Sequence, residues 1–130
     1  MSYSKLINTH PSMPKGCFFA FNQKQYNEGV LKNELNLDDV CSFGYGLYGT
    51  IEAVNAFRKS YEDRAERINK ECTPQEVYDY EYANHECNWV AEDTEAIKCC
   101  LAYFSVEECE SITRYNGCLT IQDINKSLNE

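Results

Sequence analysis

The apolar residues between Ile51 and Ile68 recur at steps of three or four positions and form one continuous stripe. Charged residues such as Arg58 and Glu62 fill the positions between them. Because an α-helix has 3.6 residues per turn, this spacing predicts a long amphipathic helix over residues 50–71 with one buried face. Such a helix must lay its apolar stripe against other elements, so the chain has to form a packed domain around it.

A small sheet and several further helices are predicted around the long helix. The aromatic run Cys17–Phe21 is typical of a buried strand, and Val40–Phe43 of a second, short strand. Thr73 is a helix cap followed by Pro74, so a helix should start there and end near Asn84. The tail is either a strand leading into a short helix or one helix capped by Thr120. Further helices are predicted over residues 23–33, from Glu92 to Phe104 and from Ser105 to about Tyr115.

The chain has 130 residues, a length typical of one domain, and no stretch rich in Gly, Ser or Pro divides it. Residues 1–15 are polar and contain Pro11 and Pro14, so we expect an extended N-terminal arm. Residues 16–130 are expected to form a single α+β domain that is helix-rich and contains a small β-sheet.

The charge is distributed very unevenly along the chain. The sequence has 12 Lys and Arg against 21 Asp and Glu, a net charge of −9. Residues 1–61 are close to neutral, whereas residues 71–110 carry eleven acids and the single base Lys98. Such a field repels nucleic acid and acidic membranes and attracts basic surfaces or divalent cations. Direct nucleic-acid binding is therefore not expected, and the alternative to a functional surface is a solvated acidic face that keeps the protein soluble.

Tyrosines alternate with acids within this acidic stretch, and Trp89 follows them. Because tyrosine offers a large contact area and a polar tip, this composition favours a protein interface over a catalytic pocket. We therefore predict a non-catalytic interaction protein, without a cofactor, that binds a protein with a basic surface. The alternative is that the tyrosines are half-buried against the core. The predicted partner-binding residues are Glu76, Tyr78, Asp79, Tyr80, Glu81, Tyr82, Glu86, Trp89, Glu92, Asp93 and Glu95.

A metal-binding protein or metal-dependent enzyme is the alternative function. Helical spacing places Glu76, Asp79 and His85 on neighbouring faces, directly before Cys87, which allows a site for a divalent ion. The predicted metal residues are therefore Glu76, Asp79, His85 and Cys87. The segment His85-Glu86-Cys87 could equally form a zinc site together with Cys72, Cys99 or Cys100.

The eight cysteines are not accompanied by a signal sequence, because the first 15 residues lack a continuous apolar region. We therefore expect reduced thiols, most of them buried as small apolar residues, in a cytoplasmic protein. No apolar run approaches the roughly 18 residues that a membrane-spanning helix needs.

Gly44, Gly46 and Gly49 match the G-x-G-x-x-G pattern, and the long helix follows them. A dinucleotide-binding site also needs a second parallel strand after that helix, and no strand is predicted there. We interpret the glycines as a tight turn, beside which a small molecule or a peptide could contact Tyr45 and Tyr48.

Four segments are distinctive, namely Phe18-Phe19-Ala20-Phe21, Gly46-Leu47-Tyr48-Gly49-Thr50, Pro74-Gln75-Glu76-Val77-Tyr78-Asp79-Tyr80-Glu81 and Asn84-His85-Glu86-Cys87. From about Lys15 to Phe104, the chain resembles a family of small uncharacterised proteins carried by bacterial mobile elements and phages. That family has no assigned activity, fold or catalytic residue, so the resemblance implies an origin rather than a mechanism.

By analogy, a small acidic protein of that origin resembles inhibitors of host enzymes that target nucleic acids. The resemblance thus implies an anti-CRISPR or anti-restriction type of inhibitor, with a nuclease or its complex as partner. A regulatory partner of a protein encoded beside it is a further alternative.

Overall fold

A computed structural model of the chain describes residues 2–87, 92–114 and 117–129. The elements in these ranges are mostly helices with short antiparallel strands, which confirms the predicted α+β class. The contacts divide the chain into two compact units. The first unit combines residues 1–10 with residues 64–130, and the second spans residues 11–63. Their boundary falls within the predicted long helix, so no linker marks it in the sequence.

The second unit contains a three-stranded antiparallel sheet. Its strands are β1 (Cys17–Phe19), β2 (Cys41–Ser42) and β3 (Leu47–Gly49), with β3 in the centre. Gly49 lies opposite Cys17 on one side and Cys41 on the other. A Cβ atom on Gly49 would lie 2.5 Å from the carbonyl oxygen of Gly16, so this close approach of two backbones requires glycine.

Two helices complete this unit. Helix α2 (Gln23–Lys32) starts at Asn22, whose side chain accepts a hydrogen bond from the Gln25 amide. Helix α3 (Ile51–Glu71) is the predicted long helix. Its first turns bury Val54 and Phe57, which pack with Cys17. The predicted strand over residues 17–21 stops at Phe19, and the predicted strand over residues 40–43 is reduced to two residues.

The first unit is mostly helical in the described residues. Besides the end of α3, it contains α1 (Tyr3–Ile7), α4 (Pro74–Asn84), α5 (Thr94–Leu101), α6 (Val106–Cys109), β4 (Thr113–Arg114), β5 (Gly117–Cys118) and α7 (Ile121–Leu128). Its core is larger than that of the second unit and includes the fully buried side chains of Ile68, Val77, Ile97, Ile112 and Ile124.

Several sequence predictions for this unit need correction. The extended arm is wrong for Tyr3–Ile7, which form α1, because Ser2 caps this helix and the buried side chains of Tyr3 and Leu6 anchor it. The predicted helix over residues 105–115 ends already at Cys109, despite its Ser105 capping box. In the tail, the strand β5 precedes a helix that Thr120 caps.

All eight cysteines lie within the described ranges and are free thiols. Five of them are buried, which agrees with their predicted role as small apolar residues: Cys17, Cys72, Cys87, Cys100 and Cys109. In the described part of the chain, no helix combines the length and the apolar character that crossing a membrane requires.

Candidate functional site

The residues that form the candidate site come from helices α4 and α5. The Thr73 side chain accepts a hydrogen bond from the Glu76 amide, and Pro74 occupies the first turn, so the start of α4 is fixed. Glu81 then lies in the last turns of α4, and His85 is its C-cap residue. Cys99 lies in α5, which packs against α4. We call these three residues the Glu81 cluster.

The atoms of the three side chains that could bind a metal ion lie close to one another. The Nε2 atom of His85 lies 3.0 Å from Oε2 of Glu81. The thiol of Cys99 donates a hydrogen bond to the same Oε2 atom over 3.1 Å. The Cys99 sulfur and His85 Nε2 are 3.6 Å apart. One oxygen, one nitrogen and one sulfur therefore lie at the corners of a small triangle.

This triangle has the size of one face of a tetrahedral zinc site. Zinc bonds of about 2.0 to 2.3 Å to oxygen, nitrogen and sulfur imply separations of about 3.3 to 3.6 Å between neighbouring ligand atoms. The observed edge between sulfur and nitrogen, 3.6 Å, matches these separations, and the two edges that meet at Oε2 of Glu81, 3.0 and 3.1 Å, are slightly shorter. The helices thus hold the three ligand atoms near the arrangement that a metal ion would need.

The same geometry argues against a catalytic Cys-His-Glu triad. In such a triad the carboxylate holds one ring nitrogen of the histidine, and the other nitrogen faces the nucleophile. In this cluster, Nε2 of His85 faces both Glu81 and Cys99. Burial and the hydrogen bond to Glu81 also raise the pKa of the Cys99 thiol to about 12, whereas a nucleophilic cysteine needs a lowered pKa.

The second oxygen of Glu81 is held from outside the cluster. The hydroxyl of Tyr3, at the start of α1, donates a hydrogen bond to Oε1 of Glu81 over 3.2 Å. Both residues are buried. Burial, followed by the charge of Glu81, raises the pKa of Tyr3 well above its usual range, so the phenol remains a donor. The carboxylate therefore has one oxygen facing Tyr3 and the other facing His85 and Cys99.

A second buried carboxylate, Asp93, has a different environment. Two nitrogens of Arg114 bind its two oxygens at 2.7 and 2.8 Å, and the Tyr78 hydroxyl donates to it over 2.7 Å. Arg114 also binds Asp123 at 2.8 Å. These partners satisfy Asp93 with a permanent positive charge, so it is a structural ion pair.

The predicted partner-binding residues do not form one exposed face. Tyr78, Glu81 and Asp93 are buried, which corrects their prediction as contact residues, because their polar atoms bind within the fold. Trp89 lies outside the described residues. Half-buried positions are held by Glu76, Tyr80 and Tyr82, and exposed positions by Asp79, Glu86, Glu92 and Glu95.

The predicted metal residues are also only partly brought together. His85 belongs to the cluster, but Glu76 instead accepts a hydrogen bond from the Tyr3 amide, and Asp79 accepts one from Gln75. Within the described ranges, the group of possible ligands contains Glu81 and Cys99 in place of Glu76, Asp79 and Cys87. The i, i+4 spacing of Glu81 and His85 was the available signal, but the sequence could not select Cys99 among the cysteines without the packing of α5 on α4.

The glycine-rich segment lies in the second unit and borders a cavity. Gly44 and Gly46 have φ angles of +86° and +82°, which explains glycine at this turn. The strand β3 before α3 belongs to an antiparallel sheet, so the G-x-G-x-x-G pattern does not form a dinucleotide site. A cavity of about 640 Å³ beside the turn is lined by uncharged residues, including Phe21, Tyr26 and Tyr48.

Comparison with known proteins places the chain in a family. The model of a family of unknown function, DUF7659, matches residues 4–117. The chain belongs to the DUF7659 family. This confirms the predicted membership of an uncharacterised family, over a longer range than the resemblance covered. The range matched by DUF7659 includes the whole Glu81 cluster and the Asp93–Arg114 pair, whereas Tyr3 lies just before it. No curated protein and no solved structure matches the chain.

Proposed function

We propose that this DUF7659 protein binds a transition-metal ion of the zinc class at Glu81, His85 and Cys99. The observation that supports this proposal is the convergence of three different ligand atoms within 4.8 Å of one another. Calcium and magnesium prefer oxygen ligands, whereas zinc accepts carboxylate, imidazole and thiolate together. The chemistry of the residues therefore favours zinc over the hard divalent ions.

The charge balance of the cluster supports the same proposal. Glu81 is 5% exposed, and among the described salt bridges its partner is His85 rather than a lysine or arginine. A buried carboxylate without a permanent counterion is costly, and a divalent cation would supply the missing positive charge. Three protein ligands leave a fourth tetrahedral position for water or for a ligand from outside.

Metal analysis of protein purified without chelator tests the proposal. We expect about one zinc per chain in the wild type, consistent with a single site. Glu81→Gln, His85→Gln and Cys99→Ser should each lose most of it. The matched control is Asp79→Asn, which neutralises an acid on the same helix outside the cluster and should retain the metal. Equal metal content in the cluster variants and the wild type, or no zinc in the wild type after zinc is added, would overturn the proposal.

Cobalt substitution gives an independent readout of the ligands. A tetrahedral Co²⁺ site with a thiolate ligand has strong visible bands and a near-ultraviolet thiolate-to-metal absorption. We expect both in the wild type. Cys99→Ser should lose the near-ultraviolet band, while the control Cys118→Ser should keep it, because Cys118 is an exposed thiol in β5. A near-ultraviolet band that survives in Cys99→Ser would show that Cys99 is not a ligand.

A protein interface is the second candidate function, because four of the predicted acids remain exposed: Asp79, Glu86, Glu92 and Glu95. Under this proposal the protein derives from a mobile element or phage and acts in the cytoplasm. It would inhibit a host defence enzyme that targets nucleic acids, by binding the basic surface of that enzyme. Exposed carboxylates at these positions can attract such a surface at low salt.

A pull-down from host lysate at low and high salt tests this candidate. The acidic variant carries Asp79→Asn, Glu86→Gln, Glu92→Gln and Glu95→Gln. The control carries Glu28→Gln, Asp38→Asn, Asp39→Asn and Glu52→Gln, four exposed acids of the second unit with the same total charge change. Capture of a basic nucleic-acid enzyme by the wild type and the control, but not by the acidic variant, would support the candidate. Equal capture by all three proteins would refute it.

A further inference from the structure

The carboxylate of Glu81 is shared between the metal ligands and the N-terminal helix α1. Its Oε2 atom faces His85 and Cys99, whereas its Oε1 atom accepts the hydrogen bond from Tyr3. Tyr3 is 1% exposed, so no solvent competes for this bond. The plane of the carboxylate is therefore defined from both sides, which keeps Oε2 directed at the other two ligand atoms.

Helix α1 is held by contacts with its neighbours, among which those with α4 involve Tyr3 and Asn8. It has only five residues, and an isolated helix of that length is not stable in water. The Tyr3 amide donates to Glu76 over 3.1 Å, and the Tyr3 ring packs edge-on against Tyr80 at 5.3 Å between centroids. The Asn8 side chain donates to the Tyr80 hydroxyl over 3.1 Å. The hydrogen bond from Tyr3 to Glu81 is thus one of several polar contacts that hold α1 in place, together with the hydrogen bond from Arg64 to the Ile7 carbonyl.

We propose that Tyr3 is a positioning residue of the Glu81 cluster, and that metal binding and the docking of α1 on α4 strengthen each other. This inference rests on the proposed metal-binding function. Outer hydrogen bonds to metal ligands fix the ligand orientation, and their removal typically lowers metal affinity about 10- to 100-fold. Since coupling between two equilibria is reciprocal, a metal ion that needs the docked Tyr3 must also stabilise docked α1 by the same factor.

The zinc affinities of Tyr3→Phe and Tyr80→Phe test the positioning role. Both variants remove one hydroxyl between α1 and α4, but only the Tyr3 hydroxyl contacts Glu81. We expect zinc affinity, measured by competition with a chromophoric chelator, to fall about 10-fold or more in Tyr3→Phe and about 2-fold or less in Tyr80→Phe. Unchanged affinity in Tyr3→Phe, or an equal loss in both variants, would overturn the positioning role of the Tyr3 hydroxyl. Zinc binding by the wild type would leave the proposed function intact in either case.

Hydrogen exchange of α1 in the wild type, with and without zinc, tests the coupling without the use of a destabilised variant. The amides of Leu6, Asn8 and Thr9 are hydrogen-bonded within the helical segment. In the wild type we expect zinc to slow their exchange about 10-fold, matching the affinity ratio, and in Tyr3→Phe we expect little slowing. Exchange in α1 that is the same with and without bound zinc would overturn the coupling, even if zinc binding itself is confirmed.

Discussion

Glu81 and Asp93 are both buried carboxylates of the same unit, but their partners differ in kind. Asp93 is bound by two nitrogens of Arg114, which cannot lose its charge, and by a tyrosine hydroxyl. Glu81 instead contacts a tyrosine hydroxyl, a histidine ring and a cysteine thiol, none of which carries a permanent positive charge. One carboxylate is neutralised permanently, and the other is not.

This difference in partners distinguishes the structural ion pair of Asp93 from the candidate metal site at Glu81. A carboxylate held by Arg114 has no need for a further cation, and replacing Arg114 leaves Asp93 buried without its counterion. In the Glu81 cluster, a metal ion would instead replace the proton of the Cys99 thiol and bind the thiolate, the imidazole and the carboxylate directly. The nature of these partners, more than burial itself, makes the cluster the candidate metal site.

The largest effect is expected at the permanent pair. Arg114→Met removes the cation and leaves Asp93 buried, so the free energy of unfolding should fall by about 3 kcal/mol. The control Arg67→Met breaks the solvent-screened pair with Glu71 on α3 and should change the free energy of unfolding much less. Urea denaturation measures both. A loss in Arg114→Met no larger than in the control would show that the pair is not structural.

Glu81→Gln should have a smaller effect on folding and a complete effect on metal binding. The glutamine keeps an acceptor for Tyr3, and its amide can donate to His85 or Cys99, so we expect a loss of about 1 kcal/mol in metal-free protein. Urea denaturation with and without zinc measures both properties. If metal-free Glu81→Gln is destabilised as strongly as Arg114→Met, the two carboxylates have the same structural role and the comparison fails.

Local signals in the sequence predicted most of the helices but not this distinction. Thr73 and Pro74 fix the start of α4, and the apolar stripe from Ile51 fixes α3, because caps and periodicity act within a few turns. The partners of Glu81 and Asp93 come from distant positions, 78 residues away for Tyr3 and 21 for Arg114. Such pairs depend on how the helices pack, and the residues next to Glu81 and Asp93 in the sequence do not indicate it.

The dependence on packing between distant residues also explains why an extended arm is the wrong prediction for residues 3–7. The first fifteen residues are polar, and the two prolines favour extended backbone. In the structure, however, Tyr3 and Leu6 are buried in the unit that residues 1–10 form together with residues 64–130. A helix of five residues has too little periodicity to be recognised without that packing.

Alkaline pH should weaken the fold through the buried thiols rather than through the ion pair. Burial raises the pKa of Cys72 and Cys109 from 9.0 to about 11. The folded state therefore keeps protons that the unfolded state releases, so this stabilisation is complete below pH 9 and is lost as the pH rises toward 11. Arg114 keeps its charge over this range, because its hydrogen bonds to Asp93 raise its pKa further.

Thermal or urea unfolding between pH 8 and 11 measures this dependence. Cys109→Ala should flatten the decrease, because it removes one of the shifted thiols, while Cys118→Ala, at an exposed position, should not. The comparison uses slopes with pH, so a general loss of stability in Cys109→Ala does not affect it. Parallel slopes in the wild type and Cys109→Ala would show that this thiol does not contribute.

The smallest expected effect is on the rate at which Cys99 is alkylated. This rate tests whether a metal ion can replace the thiol proton that Cys99 shares with Glu81. At pH 8, alkylation should modify the exposed thiols Cys41 and Cys118 first. Cys99 should react slowly, because its pKa of about 12 leaves almost no thiolate for the reagent. Zinc should slow Cys99 further without changing Cys41 or Cys118, as mass spectrometry of the alkylated peptides would show. Fast alkylation of Cys99 without zinc would mean that Glu81 does not hold its proton, whereas reactivity that zinc leaves unchanged would mean that the metal does not replace that proton.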